Sequence, residues 1–173
     1  HKVMPYEPSA RVPLLLRAPA HLGIQTDAVV HEPVTLADIM PTVLDIAGAD
    51  IPGTVEGKSL LPLLRGESTG LHTYIHIEHA PHYQCLTDGR EKYIWFVADG
   101  REQFFRLTDD PNECHNLAAL PEEAARLSHW RSLLVDELKN RPEGFSDGTD
   151  LIAGRPYAAV CRRTESRKKS ATD

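Results

Sequence analysis

The sequence predicts an α/β to α+β chain that ends in a small antiparallel sheet packed by a C-terminal helix. Three observations carry that expectation. Val12 to Arg17 (VPLLLR) is a short apolar run bounded by prolines, the signature of a strand buried on both faces. Short runs rich in β-branched and aromatic residues follow between 73 and 107, two of them ending at Asp88-Gly89 and Asp99-Gly100, dipeptides that favour hairpin turns. Pro121 to Asn140 then carries apolar residues at helical spacing.

Residues 1–13 hold Pro5, Pro8 and Pro13 and read as an irregular loop. In the strand predicted next, Pro13 falls near the first residue, where a missing N–H is tolerated. Val34 to Gly48 (VTLADIMPTVLDIAG) places Leu36, Ile39, Val43, Leu44 and Ile46 on one helical face, with Gly48 where a left-handed cap belongs. Thr35 and Asp38 have capping-box spacing, whereas Pro41 prefers a first turn and favours Asp38 as the cap, so the start of this helix stays open. Ser59 to Arg65 (SLLPLLR) fits a helical turn or two before Gly66. Thr73–His79, Tyr83–Thr87, Lys92–Val97 and Gln103–Leu107 read as strands of a meander. The helix opened by Pro121 has an acidic first turn (Glu122, Glu123), a basic end (Lys139, Arg141) and a stripe of Leu127, Trp130, Leu134 and Leu138 to lie on the meander. From Gly144 the pattern dissolves.

The chain has 173 residues, 41% apolar and 25% charged, enough to bury a core and against wholesale disorder. No apolar run approaches the roughly 18 residues needed to cross a bilayer, which argues against a membrane protein. The net charge of −6 argues against a general nucleic-acid binder and leaves small anionic substrates open. Arg155–Asp173 sets six basic residues against two acidic ones, a net of +4 that reads as a solvated tail. Cys85, Cys114 and Cys161 are an odd count without paired spacing, which suits a reducing compartment such as the cytoplasm. The start at His1 rather than Met reads as a cut.

Two clusters could carry chemistry. His1, Lys2, Tyr6, Glu7 and Arg11 lie in the loop feeding the predicted buried strand, where α/β enzymes place binding groups, and an ammonium and an imidazole there can meet an anionic oxygen. The competing reading pairs Glu7 with Arg11 as an anchor. His72, His76, Glu78, His79 and His82 form the second cluster; on a strand His76 and Glu78 share one face and His79 points to the other, so a converged metal site is disfavoured. The chain holds no G-x-S-x-G, P-loop, G-x-G-x-x-G or H-E-x-x-H, and Cys114 beside His115 is a weak thiol–imidazole pair.

The order of the segments is more informative than any one of them. Lys2-Val-Met-Pro-Tyr6-Glu7-Pro-Ser-Ala-Arg11-Val12-Pro13-Leu resembles the K-x-x-x-Y-E-x-x-x-R-V-P-L segment of the sulfatase family, within the alkaline-phosphatase-like superfamily. Val34–Gly48 resembles its V-x-L-x-D-I-x-P-T-x-L-D-x-A-G helix, and Gly57–Gly66 its G-x-S-L-x-P-L-L-x-G element. Leu86–Ile94, and Phe104–Leu107 through Asp109-Asp110-Pro111-Asn112-Glu113 to Asn116-Leu117, are similar to its C-terminal sheet. The likeness spans residues 1 to 140.

The resemblance implies the C-terminal part of an alkaline-phosphatase-like sulfatase fold. Residues 1–70 would be a remnant of the large α/β domain, 71–142 the antiparallel sheet plus helix, and 143–173 a basic, disordered tail. It implies hydrolysis of a sulfate monoester, a small-molecule substrate, by a formylglycine nucleophile formed from a cysteine in C-x-[PA]-x-R, with calcium or magnesium neutralising the anion. Lys2 matches the family lysine that contacts sulfate oxygens and His79 a histidine in the strand-end loop near the substrate, with His1, beside Lys2 in the chain, a further candidate substrate contact; Tyr6, Glu7 and Arg11 match scaffold positions. No cysteine here stands in C-x-[PA]-x-R, and the family's acidic metal ligands belong to segments before Lys2. The nucleophile and metal are therefore expected on an N-terminal remainder, and the isolated chain is expected to be inactive, with its N-terminal half sticky or partly ordered. A phosphodiesterase or phosphonate monoester hydrolase of the same superfamily, and a non-catalytic binding module, are the alternatives.

Overall fold

Four antiparallel strands adjoin in chain order: β1 (Ile75–His79), β2 (Tyr83–Thr87), β3 (Glu91–Phe96) and β4 (Glu102–Arg106). The computed structural model describes residues 3–67 and 70–156. Ahead of the sheet lie α1 (Glu7–Ala10), α2 (Ile39–Ile46) and α3 (Leu61–Leu64), and after it α4 (Ala124–Leu138).

The two turn dipeptides act as expected. Gly89 and Gly100 sit at φ +83° and +73°, a region costly for residues with a Cβ, and Asp88 Oδ1 accepts the Arg90 and Glu91 amides at 2.9 and 2.7 Å. These turns set a register in which Ile77 faces Cys85, Cys85 faces Ile94 and Ile94 faces Gln103.

With that register fixed, strand alternation sorts the side chains onto two faces, and both are covered. On one, Leu86, Tyr93, Trp95 and Phe104 meet the predicted stripe of α4, Leu127, Trp130, Leu134 and Leu138, all buried. The indole of Trp130 also donates to Glu91 Oε2 at 2.8 Å, so its one polar group stays satisfied. On the other face, Tyr83, Cys85, Ile94, Phe96, Phe105 and Leu107 are covered by Met4 and Tyr6 from the N-terminal loop.

Three expectations change. Val12–Arg17 forms no strand: the segment has no regular secondary structure and is exposed, Leu15 at 93%. A strand needs a neighbour for its N–H and C=O groups, and the four strands here pair only with one another. The start of the second helix combines both readings, a 3₁₀ turn over Leu36–Asp38 running into α2, with Asp38 Oδ2 accepting the Thr35 amide at 2.8 Å and Gly48 at φ +66° beyond the end. Its apolar side, however, is open: Leu36, Ile39, Val43 and Ile46 are all exposed.

The third change concerns residues 143–156, expected as the start of a tail. Phe145 is 1% exposed within the α4-side core, its ring edge-on to Trp95 at 6.1 Å. Ser146 bridges to Leu151, its hydroxyl donates to the Val135 carbonyl at 3.0 Å, and the Gly154 amide donates to the Val97 carbonyl at 2.8 Å. One aromatic side chain among turns has no periodicity to betray it, yet it fills the space beside Trp95. The rest of the expected tail, 157–173, lies outside the described residues. No described helix is long and apolar enough to cross a membrane.

Candidate functional site

Lys2 and His1 lie outside the described residues. The loop they lead into is firmly held. Tyr6 donates its hydroxyl to Gln103 Oε1 at 2.9 Å and presents its ring edge to Phe105. Glu7 begins α1, and its carboxylate meets Lys92, not Arg11: Lys92 Nζ lies 2.8 Å from Glu7 Oε1, 2.9 Å from the Pro5 carbonyl and 2.8 Å from Glu113 Oε1. The anchor expected between Glu7 and Arg11 is thus replaced by one that spans 85 residues. Lys92 stands on the loop side of β3 because it shares strand parity with Ile94 and Phe96.

His79 ends β1 and is exposed. Its ring stacks on His82 at 5.0 Å and on Tyr83 at 6.0 Å, and Tyr83 belongs to the cluster covered by Met4 and Tyr6. The end of the β1–β2 hairpin and the loop leading from Lys2 therefore share one face of the sheet. Across that face, Phe96 pairs with Tyr83 and carries the Arg101 guanidinium 4.2 Å from its ring centroid. Arg101, which sequence reasoning did not single out, adds a cation to the same face; its position after Asp99-Gly100 is the signal that could have found it.

The other histidines do not join His79. His72 Nε2 lies 2.9 and 3.0 Å from the carboxylate oxygens of Asp38, far along the chain. His76 sits on the α4 side, with Nε2 2.8 Å from Gln84 Oε1 and Nδ1 3.6 Å from Glu137. There it borders an open hollow of ≈ 670 Å³ with Glu56, Glu78, Glu137 and Arg141. Several charges of that hollow pair with neighbours, Arg141 with Glu78 at 2.8 Å and with Glu143 at 2.9 Å, and Tyr74 donates to Glu137 at 2.9 Å. His115 faces Asp110 at 3.4 Å, so it is engaged away from the exposed Cys114.

Among the described residues no three His, Cys, Asp or Glu side chains gather as a metal ion would need. The donor set for calcium or magnesium is not met by these residues. Burial pushes the Cys85 thiol up to about 12, more than the opposing pull of Lys92, which makes it an inert core residue rather than a nucleophile. Burial also pushes the Glu102 carboxyl up, but hydrogen bonds from Arg131 and Tyr93 outweigh it and hold the group below the usual carboxylate range. Cys85 is buried beneath the face shared by His79 and the loop, and Glu102 lies on the α4 side, so neither is presented to that face. The site is a rim of cationic and imidazole side chains, suited to contacting an anion rather than to attacking one.

The profile described as N-sulphoglucosamine sulphohydrolase, C-terminal, matches residues 1–140. An arylsulfatase of Clostridium perfringens is 39% identical over 165 residues, covering 92% of this chain and 34% of its own length. Among solved structures, a 2-O GAG sulfatase superposes with a TM-score of 0.55 at 27% identity, over 67% of this chain and 27% of that one. A phosphonate monoester hydrolase from Silicibacter pomeroyi superposes with a TM-score of 0.59 at 27% identity, over 74% of this chain and 29% of that one. The chain spans about a third of the length of the arylsulfatase it matches. The segments foreseen as sulfatase-like, from the loop at Lys2 to the helix ending near Asn140, are the segments matched, and the chain belongs to the sulfatase family, of which it carries the C-terminal portion.

Proposed function

We propose that this chain is the C-terminal portion of an enzyme that hydrolyses sulfate monoesters, contributing Lys2, His1 and His79 to the substrate rim. The nucleophile, a formylglycine, and the calcium or magnesium ion belong on this reading to the remainder of the sulfatase domain, because no C-x-[PA]-x-R cysteine occurs here and no described acidic cluster gathers. The observation that carries the reading is the fastening of the loop after Lys2 onto the same sheet face that presents His79. In a sulfatase, a cation delivered there would neutralise charge on the transferring group as it leaves its alcohol.

The partner is the rest of the sulfatase domain. Val12–Leu16 and the apolar side of α2 support this, since an exposed apolar run of that kind in a folded chain marks a surface that another element covers. The likeness to the phosphonate monoester hydrolase favours a second reading, phosphonate or phosphate ester hydrolysis on the same scaffold.

A fusion of this chain behind the unmatched part of the Clostridium perfringens arylsulfatase tests both. The proposal expects 4-nitrophenyl sulfate to be turned over by the fusion, faster than phenylphosphonate esters, and not by the 173-residue chain alone. Preference of the fusion for the phosphonate ester would favour the second reading, and turnover by the chain alone would refute the division of labour.

A further inference from the structure

We propose that Lys92 and Glu113 form a clamp that positions the loop carrying Lys2, making Lys92 a positioning residue for the substrate rim; this rests on the role proposed for Lys2. Lys92 is the only fully buried lysine among the described residues, at 0% exposure near the start of β3, between Glu91 and the run Tyr93-Ile94-Trp95-Phe96. A buried ammonium is costly unless its protons are all taken. Here two oxygens of the N-terminal segment, the Pro5 carbonyl and Glu7 Oε1, accept hydrogen bonds from it, and the Glu113 carboxylate lies 2.8 Å away as an ion-pair partner.

Glu113 completes the clamp. Its side chain is 1% exposed, and while Oε1 contacts Lys92, Oε2 accepts the Glu7 amide at 2.5 Å. That amide is at the start of α1, where no intrahelical acceptor is available. Glu113 itself adopts φ +55°, a left-handed conformation that a residue with a Cβ adopts only when its surroundings impose it. The strain falls on the residue whose two oxygens join the sheet lysine to the loop. A lysine serving only to fill the core would need neither the loop carbonyl nor a strained glutamate. The clamp grips Pro5 and Glu7, a few residues after Lys2 in the chain, and so fixes the backbone of the segment that leads from it.

The test compares Lys92→Met, Lys92→Arg and Glu113→Gln in the full chain by residue-resolved amide exchange. The clamp predicts that Glu7 and Ala10 amides exchange roughly 10- to 100-fold faster in Lys92→Met and Glu113→Gln, the loss expected for one or two charge-assisted hydrogen bonds. Ile94 and Phe104 amides in the sheet should keep their protection, and Lys92→Arg should restore part of the loop's. Unchanged exchange at Glu7, or an equal rise at Glu7 and Ile94, would overturn the clamp. Exchange is read without substrate, so the result stands whether or not Lys2 contacts sulfate. In the fusion, the clamp further predicts that Lys92→Met lowers kcat for 4-nitrophenyl sulfate more than it raises KM; an unchanged kcat with an ordered loop would remove the positioning role. A fusion inactive with native Lys92 would count against the sulfatase reading alone, leaving exchange to decide the clamp.

Discussion

His72 Nε2 is shared between both carboxylate oxygens of Asp38, a side chain with no exposed surface, at 2.9 and 3.0 Å. The same carboxylate accepts the amides of Thr35 and Lys58, each at 2.8 Å. One buried acid therefore ties together the start of α2, the turn before α3 and the approach to β1. Replacing it leaves two amides and an imidazole without their acceptor, so Asp38→Ala should cost about 3 kcal/mol, given the penalty for orphaned buried groups. The urea midpoint, followed by a probe on α2, should fall accordingly.

Gly57 meets the same junction from the other side. A Cβ there would stand 2.0 Å from the Ala37 carbonyl oxygen and 2.9 Å from the Asp38 amide nitrogen, both backbone atoms that cannot turn aside. Gly57→Ala should destabilise the chain by roughly 2 kcal/mol, in the range of overpacking, and raise exchange at the Lys58 and Leu60 amides.

The cysteines differ by burial. Cys85 is fully buried between β1 and β3, whereas Cys114 is exposed. At pH 8 in the native state, iodoacetamide should label Cys114 within minutes and leave Cys85 unlabelled until denaturant is added. Peptide mapping by mass spectrometry distinguishes the two.

Acid should weaken the α4 side of the sheet. Glu102 is held below the usual range by Arg131 and Tyr93 against the upward push of burial, and Glu137 by the nearby His76 imidazole and then by the hydrogen bond from Tyr74. A carboxylate with a depressed folded value binds a proton more readily when unfolded, so its stabilisation is present above the ordinary glutamate value, about 4.3, and is lost as pH falls through the lower folded value. Tm should hold steady from pH 7 to about 5 and decline below about 4. Arg131→Met, which removes the main opposing partner of Glu102, should make that decline shallower.

Much of the sheet was legible in the sequence because its signals are local. Asp88-Gly89 and Asp99-Gly100 mark their own turns, and the stripe from Leu127 to Leu138 needs only helical spacing. Val12–Leu16 was misread because an apolar run shows that a segment can be buried, while a strand also needs a neighbour. Phe145 was missed because its partner, Trp95, is distant in the chain. Lys92 was missed for a related reason. Its charge reads as a solvated residue until the pairing with Glu7 and Glu113 is seen, although its parity with Ile94 and Phe96 already put it on a covered face. Lys2 and His79 came from family likeness, and the structure adds the shared face on which His79 and the loop after Lys2 meet.

The role of Lys2 is the part of the account that a single rate measurement can decide. In the fusion, Lys2→Ala should lower kcat/KM for 4-nitrophenyl sulfate by roughly 10²- to 10³-fold, the scale for losing one preorganised group that stabilises transition-state charge, with amide exchange at Glu7 and Ile94 unaltered. An unchanged kcat/KM with the loop and sheet intact would contradict the assignment of this chain's loop to the sulfate site.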